Sequence, residues 1–357
     1  MTRSDSKARM RGTRRLTSIA LSALLAAGTL TACGGGGGET IAADAKTGNR
    51  KIRIAAPFVS TMNSAILYAQ GTGILKKHNI EAEFIEVHGG GSLQATLGGS
   101  TDMAITSSVN PMAALQQGQE FPIIAQVGNG FPESVIITAS AWKESGLKDD
   151  SSLKDKMKFL AGKPWGVSSP QGSSSYMAKY MFQLAGLSAD DFKMNSMGSA
   201  SGTLAGLKSE KVVAGSMGSP YPQVAESEGY AKLFVNVSGG EVPELTNTLT
   251  SVVAVTPDFY KNNKELVADF RKALGEAQKE VYENSAVVDE WIYKEKFEGS
   301  PKDAVLSGVK DQRDGGAIAK QPEVSEESAE RLVAFMKATG QPVPDDWRKI
   351  FVDLSAN

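Results

Sequence analysis

Residues 51–87 read KIRIAAPFVSTMNSAILYAQGTGILKKHNIEAEFIEV, and the changes of period within them decide the fold class. Lys51-Ile52-Arg53-Ile54-Ala55-Ala56 alternates as a strand does, and Pro57 stops it. Ser64 to Lys77 then places Ile66, Leu67, Ile74 and Leu75 on one face of a helix. From Ile80 to Val87 the alternation returns through Ile80, Ala82 and Phe84, until Gly89-Gly90-Gly91 ends it. Strand, helix and strand in this order form a βαβ unit, the building block of a mainly parallel sheet.

The same alternation continues outward. A short helix runs through Leu93 and Leu97, followed by a strand at Met103–Thr106, a helix around Met112 to Gln117 and a strand from Pro122 to Val127. A second series follows. It has an extended run at Ser134–Thr138, strands at Trp165–Ser168, Phe192–Met197 and Val212–Met217, and helices at Tyr176–Leu184 and around Leu204 and Leu207. Ser251 to Val255 is again extended, and beyond Pro257 the chain is helical, with stretches at Leu266–Tyr282, Val287–Ile292 and Ser328–Ala338. The pattern predicts two α/β lobes, 51–134 with 256–357 and 135–255, with Val135–Thr138 and Val252–Thr256 as the hinge crossings. A cleft between two such lobes is where a ligand sits.

The bulk numbers agree with a folded body and narrow its partners. At 357 residues, 41% hydrophobic and 22% charged, the chain has the composition of a globular protein of two domains. Ahead of Cys33 lie Arg3, Lys7, Arg9, Arg11, Arg14 and Arg15, then an apolar run from Leu16 to Leu30 and the small residues Thr31 and Ala32. That is the build of a secretory signal peptide, 1–32, too short in its apolar part to span a bilayer. Without it the body is acidic and has no basic cluster, so nucleic acid is not an expected partner. Cys33 is the only cysteine, which excludes an intramolecular disulfide. Leu30-Thr31-Ala32-Cys33 resembles the bacterial lipobox, which implies an acylated Cys33 and a place on the extracytoplasmic face of the cell membrane. Gly34 to Gly38 and the polar stretch after them read as a flexible tether, 33–50.

Ala65 to Ile80 resembles the opening helix of the nitrate/sulfonate/taurine-binding solute-binding proteins of ABC importers, a family that also includes binders of thiamine-pyrimidine precursors. Leu97-Gly98-Gly99-Ser100-Thr101-Asp102-Met103-Ala104, Gln117-Gly118, Ala161-Gly162-Lys163-Pro164-Trp165-Gly166-Val167 and Ala205-Gly206-Leu207-Lys208 fit the same pattern in the same order. The likeness runs from about Lys51 to Asn284. It implies a two-lobed periplasmic-binding-protein fold of the second type, ligand capture by lobe closure, and an ABC permease and ATPase as partners. Where the family often carries acids, in the late strand of the second lobe and before a proline, this chain has Ala214-Gly215 and Ser219-Pro220, which weighs against an amine in the cleft.

In such sheets ligands sit beyond the C-terminal ends of the strands. The residues there are small and hydroxylic: Ser60, Thr61 and Met62; Gly90; Ser107 and Ser108; Gln171, Gly172, Ser173 and Ser174; Ser199; Ser219 and Tyr221. Hydroxyl residues at helix starts can leave N–H groups and the positive dipole end aimed at an anion. No arginine lies between Arg53 and Arg271, so the guanidinium fork that clamps carboxylates is absent from these loops. One helix start contributes about 0.3–1 kcal/mol, whereas micromolar binding needs about −8 kcal/mol. Apolar contact must supply the difference, with Met62, Phe131, Trp165, Met197, Met217 and Tyr221 as candidates. The expected ligand therefore has a small apolar body and either one anionic head, as in a sulfonate-like or other organic anion, or only neutral polar groups.

His78 and His88 are the only histidines, and no zinc, P-loop, G-x-S-x-G or C-x-x-C pattern is present. The expectation is a monomeric binding protein without cofactor or metal and not an enzyme. Two alternatives remain open: thiamine-pyrimidine-precursor binding or synthesis on the same fold, and a lipid-anchored interaction or sensor protein.

Overall fold

The computed structural model describes residues 38–56, 60–87 and 91–355, which form two five-stranded sheets with helices around each. The chain builds the first with β1 (Arg50–Ala56), α1 (Ser64–Gly71), α2 (Ile74–Lys77), β2 (Ile80–Glu86), α3 (Ser92–Leu97), β3 (Met103–Ser107), α4 (Val109–Gln116) and β4 (Ile123–Gly130). The second has β5 (Glu133–Thr138), α5 (Ala139–Ser145), α6 (Leu153–Leu160), β6 (Pro164–Val167), α7 (Ser173–Leu184), β7 (Lys193–Ser196), α8 (Ala200–Lys208), β8 (Ala214–Gly218), α9 (Tyr221–Ser227) and β9 (Ala231–Val235). The chain then returns through β10 (Thr246–Ala254) and ends in α10 (Pro257–Asn262), α11 (Lys264–Glu283), α12 (Ser285–Lys296), α13 (Lys302–Asp314) and α14 (Glu326–Ala338).

The strand orders are β2-β1-β3-β10-β4 and β7-β6-β8-β5-β9. In each sheet four strands point one way, and the strand arriving from the other sheet, β10 or β5, runs against them. The cause is where the chain crosses. It leaves each sheet at the C-terminal end of a forward strand and enters the next beside that sheet's own C-terminal ends. Both sets of C-terminal ends therefore meet at the crossings.

Those crossings are not where the sequence puts them. Val135–Ile137 and Val252–Ala254 are fully buried inside the sheets, and the chain crosses at Phe131-Pro132 and again over residues 236–245. A run of consecutive β-branched residues is the mark of a strand covered on both faces, which a hinge is not. Residues 246–255, expected in the second lobe, accordingly belong to the first sheet.

Three further expectations are corrected. The single helix over 64–77 is two, because Gly73 at φ 84° takes a left-handed conformation that other residues adopt only with strain. The tether is shorter than 33–50: Ile41 packs on the first core, Asn263 accepts from the Ile41 amide at 2.7 Å, and Asn262 and Asn263 donate to the carbonyls of Gly38 and Glu39. The signal segment, Cys33 and Gly34 to residue 37 lie outside the described residues. Finally, residues 256–357 do not serve the first sheet alone. Helix α11 buries Leu266, Phe270, Leu274, Ala277 and Val281 against it, but Phe335 of α14 packs on Phe131 at 4.9 Å and on Tyr180 of α7 at 5.4 Å. Gln223 of α9 donates to Asp311 of α13. Helices α5, α6 and α9 and the edge strand β9 go beyond the elements expected from the sequence.

Candidate functional site

At the crossing, three side chains join segments far apart in sequence. Thr61, fully buried just beyond β1, lies 2.9 Å from the Ser219 carbonyl beyond β8 and 2.6 Å from Oε1 of Gln312 on α13. The Gln312 amide donates to Pro132 O at 3.1 Å, and the same carbonyl accepts from the Ser219 amide. Thr61, Ser219 and Gln312 thus make one buried polar contact spanning both sheets, with every bond inside the protein.

The other first-sheet residues nominated by sequence are also spent locally. Ser60 accepts from the Met62 amide and caps the short 3-10 turn Thr61–Asn63. Met62 packs its sulfur over Gly128, where no side chain intervenes. Ser107 ends β3 opposite Ser251, and Ser108 donates to Leu249 O at 2.6 Å, tying the start of α4 to β10. Gly90 and His88 lie outside the described residues. His78 closes α2 and bonds to Glu276 at 2.9 Å.

The second sheet differs. Gly172 caps α7 with no side-chain bond, Gln171 and Ser173 are exposed, and Gly172 and Ser174 are half-buried. The start of α7 already faces an acid: the Ser173 hydroxyl donates to Oε1 of Glu133, the first residue of β5. Glu133 is only 7% exposed, and its Oε2 is buried with no hydrogen-bond partner. Burial pushes its carboxyl above the ordinary value of 4.5, opposed by the hydroxyls of Ser173 and Ser174 and by its own backbone amide. Ser199 caps α8 by accepting from the Gly202 amide at 3.0 Å, and Tyr221 begins α9 exposed to solvent; neither contacts the Thr61–Ser219 group or Glu133 through a hydrogen bond. Phe131, Trp165 and Met217 are core, Trp165 donating to Ser216 Oγ at 2.8 Å.

Sequence reasoning missed Glu133 and Gln312. Glu133 left a trace, an acid directly at the head of the apolar run Val135-Ile136-Ile137, where a strand offers few places for charge. Gln312 left none, since it sits on an ordinary amphipathic helix. Cavities of about 410 and 400 Å³ lie elsewhere, the first bounded by Arg271, Pro322, Glu323 and Asp353 and the second by Ile41, Arg50, Asn263 and Asp269. Neither is lined by a residue of the crossing. Among the described residues no cluster of His, Cys, Asp or Glu could hold a metal ion, and no helix is long and apolar enough to cross a membrane.

Solved structures with the same arrangement are numerous. The alkanesulfonate-binding protein SsuA of Xanthomonas axonopodis pv. citri, bound to MOPS, superposes with a TM-score of 0.66 at 16% identity, covering 86% of this chain and 98% of that one. The periplasmic aliphatic sulphonate-binding protein SsuA of Escherichia coli gives 0.63 at 17% identity, covering 84% and 96%. The periplasmic nitrate-binding protein NrtA of Synechocystis PCC 6803 gives 0.65 at 14%, covering 84% of each chain. At these identities the likeness establishes the periplasmic-binding-protein fold. Comparison with curated protein sequences gives no match. The family model described as NMT1-like matches residues 45–292, from the docked N-terminal segment through both sheets and into α12, and the chain belongs to that NMT1-like family.

Proposed function

We propose that the protein is the extracytoplasmic solute-binding component of an ABC importer, held to the membrane through acylated Cys33, and that its lobes close on a small organic molecule for delivery to a permease and its ATPase. The observation that carries this reading is the meeting of both sets of strand C-terminal ends at the crossings, the position where open α/β sheets bind ligands. The fold shared with sulfonate- and nitrate-binding proteins supports it, as does family membership. A bare anionic head at the start of α7, expected from the sequence, finds less support, because Glu133 already faces that helix start.

The test is a thermal-shift screen of the acylated protein against sulfonates, carboxylates, nitrate, amines and pyrimidines, with mass spectrometry of every ligand afterwards. A solute at 100 times its Kd should add about 2.7 kcal/mol of stability and be recovered unchanged. Failure of every class to bind, or conversion of a bound solute, overturns the assignment. Cys33→Ala should move the protein from the membrane fraction to the soluble one; retention there excludes the lipid anchor.

A further inference from the structure

We propose that Glu133 reads the ligand, and that it takes a nitrogen donor: an ammonium, amidinium or amino group on a small organic molecule. The proposal rests on the solute-binding reading and narrows it.

Four observations converge. Glu133 heads β5 directly after the Phe131-Pro132 crossing, where the two sheets meet. It is more than nine-tenths buried; Oε1 accepts from Ser173, the Ser174 hydroxyl and its own backbone amide also favour the charged form, and Oε2 has no hydrogen-bond partner. Among the described residues no Lys or Arg pairs with it. Opposite it on β8 stands Gly218, and a side chain added there would meet nothing nearer than Pro132 O at 3.9 Å. Residues directly opposite in an antiparallel pair share a face, so the space over Gly218 lies beside the Glu133 carboxyl.

Burial favours the protonated carboxyl, and a cationic N–H beside Oε2 draws it into the ionised form, which only accepts hydrogen bonds. A sulfonate or carboxylate head offers acceptors alone and brings no positive charge to ionise the buried acid. An N–H of a cationic or amino-bearing solute makes a charge-assisted bond to the free oxygen. Glu133 lies at the C-terminal end of β8, opposite Gly218 on the neighbouring strand. Helix α7, twelve residues long, holds the carboxylate at its positive end with no side-chain cap of its own, which keeps the acid in place without consuming its second oxygen. Were Glu133 only a cap supplied from the next strand, its removal would weaken the ligand-free protein. A carboxylate kept for a ligand is a liability until that ligand arrives, and its removal does not.

The experiment is calorimetric titration of the mature protein and of Glu133→Gln with n-pentylamine, benzamidine, taurine and n-pentanesulfonate, alongside thermal unfolding without ligand. Wild type should bind at least one nitrogen probe and not pentanesulfonate. Glu133→Gln should weaken the nitrogen probe about 30-fold or more, the lower end of the cost of removing one charge from a buried pair. Its ligand-free Tm should equal or exceed that of wild type. Gly218→Val, which fills the space beside the carboxyl, should abolish the same binding with an unchanged circular-dichroism spectrum. Pentanesulfonate binding to wild type with undiminished affinity for Glu133→Gln overturns the proposal while leaving the solute-binding reading intact, and so does a fall in the variant's ligand-free Tm. If no probe and no member of the wider solute screen binds, both fall together.

Discussion

The two sides of the crossing use the same residue types to opposite ends. On the first sheet, Ser60, Thr61 and Ser108 are buried, and each hydroxyl is committed to a bond within the protein. On the second, Gln171 and Ser173 are exposed, Ser174 is half-buried, and the acid that Ser173 bonds keeps an unpaired oxygen. A hydroxyl beside a neighbouring carbonyl becomes structure, because a buried acceptor left without a donor is costly. At the open start of α7 the exposed Ser173 hydroxyl bonds instead to an acid whose second oxygen stays unanswered. Chemical type nominates a site, but local saturation decides whether it remains one.

The sharpest way to break this comparison is Thr61→Val, which keeps the shape and removes the hydroxyl. It strands whichever buried acceptor the single Thr61 proton serves, Ser219 O or Gln312 Oε1, at an expected cost of about 1–3 kcal/mol in urea unfolding, with the order of probe affinities unchanged. A variant as stable as wild type would show that the first-sheet contact is idle.

A weaker effect appears with pH. The folded carboxyl of Glu133 is raised above its unfolded value near 4.5, so the folded state holds that proton more tightly. The stability this supplies is full below about that value and is lost as pH rises through the higher folded value. Glu276 of α11 has the opposite sign: Lys77 and His78 hold its carboxyl below its ordinary value, so its contribution is present above 4.5 and is lost as pH falls. Urea titrations across roughly pH 3–8 should therefore show Glu133→Gln and Glu276→Gln tilting the profile in opposite senses. Parallel profiles would mean that Glu133 has a partner when folded.

The smallest change belongs to Ser174→Ala. Its half-buried hydroxyl is one of the two that hold the Glu133 carboxyl down, so stability should stay within about 0.5 kcal/mol, while affinity for a nitrogen probe falls. A loss of stability as large as that of Thr61→Val would erase the distinction between the two sides.

Much of the architecture was legible in the chain. Alternation in residues 51–56 and 80–87 marks strands with Ile52, Ile54 and Ile80 buried, and the spacing of Leu266, Phe270, Leu274 and Val281 marks the long buried face of α11. Strand and helix periods are written locally, because each records which side of one element meets the core. One local signal went unread: Ser152 with Asp155 caps α6, ahead of Met157 and Leu160.

What only the tertiary structure decided was which residues at the crossing are spent and which are open. Thr61 meets Ser219 across 158 positions and Gln312 across 251, and no period or spacing encodes such a meeting. The place of Val135–Ile137 inside a sheet, the reach of Phe335 to Phe131 and Tyr180, and the approach of Glu133 to α7 depend likewise on how distant elements pack. The sequence determined two α/β halves and a set of small hydroxyl residues at their strand ends. Packing alone determined that the hydroxyls of the first half are spent on bonds within the protein and that the second leaves a carboxyl oxygen unanswered, because hydrogen-bond saturation is a property of neighbours in space.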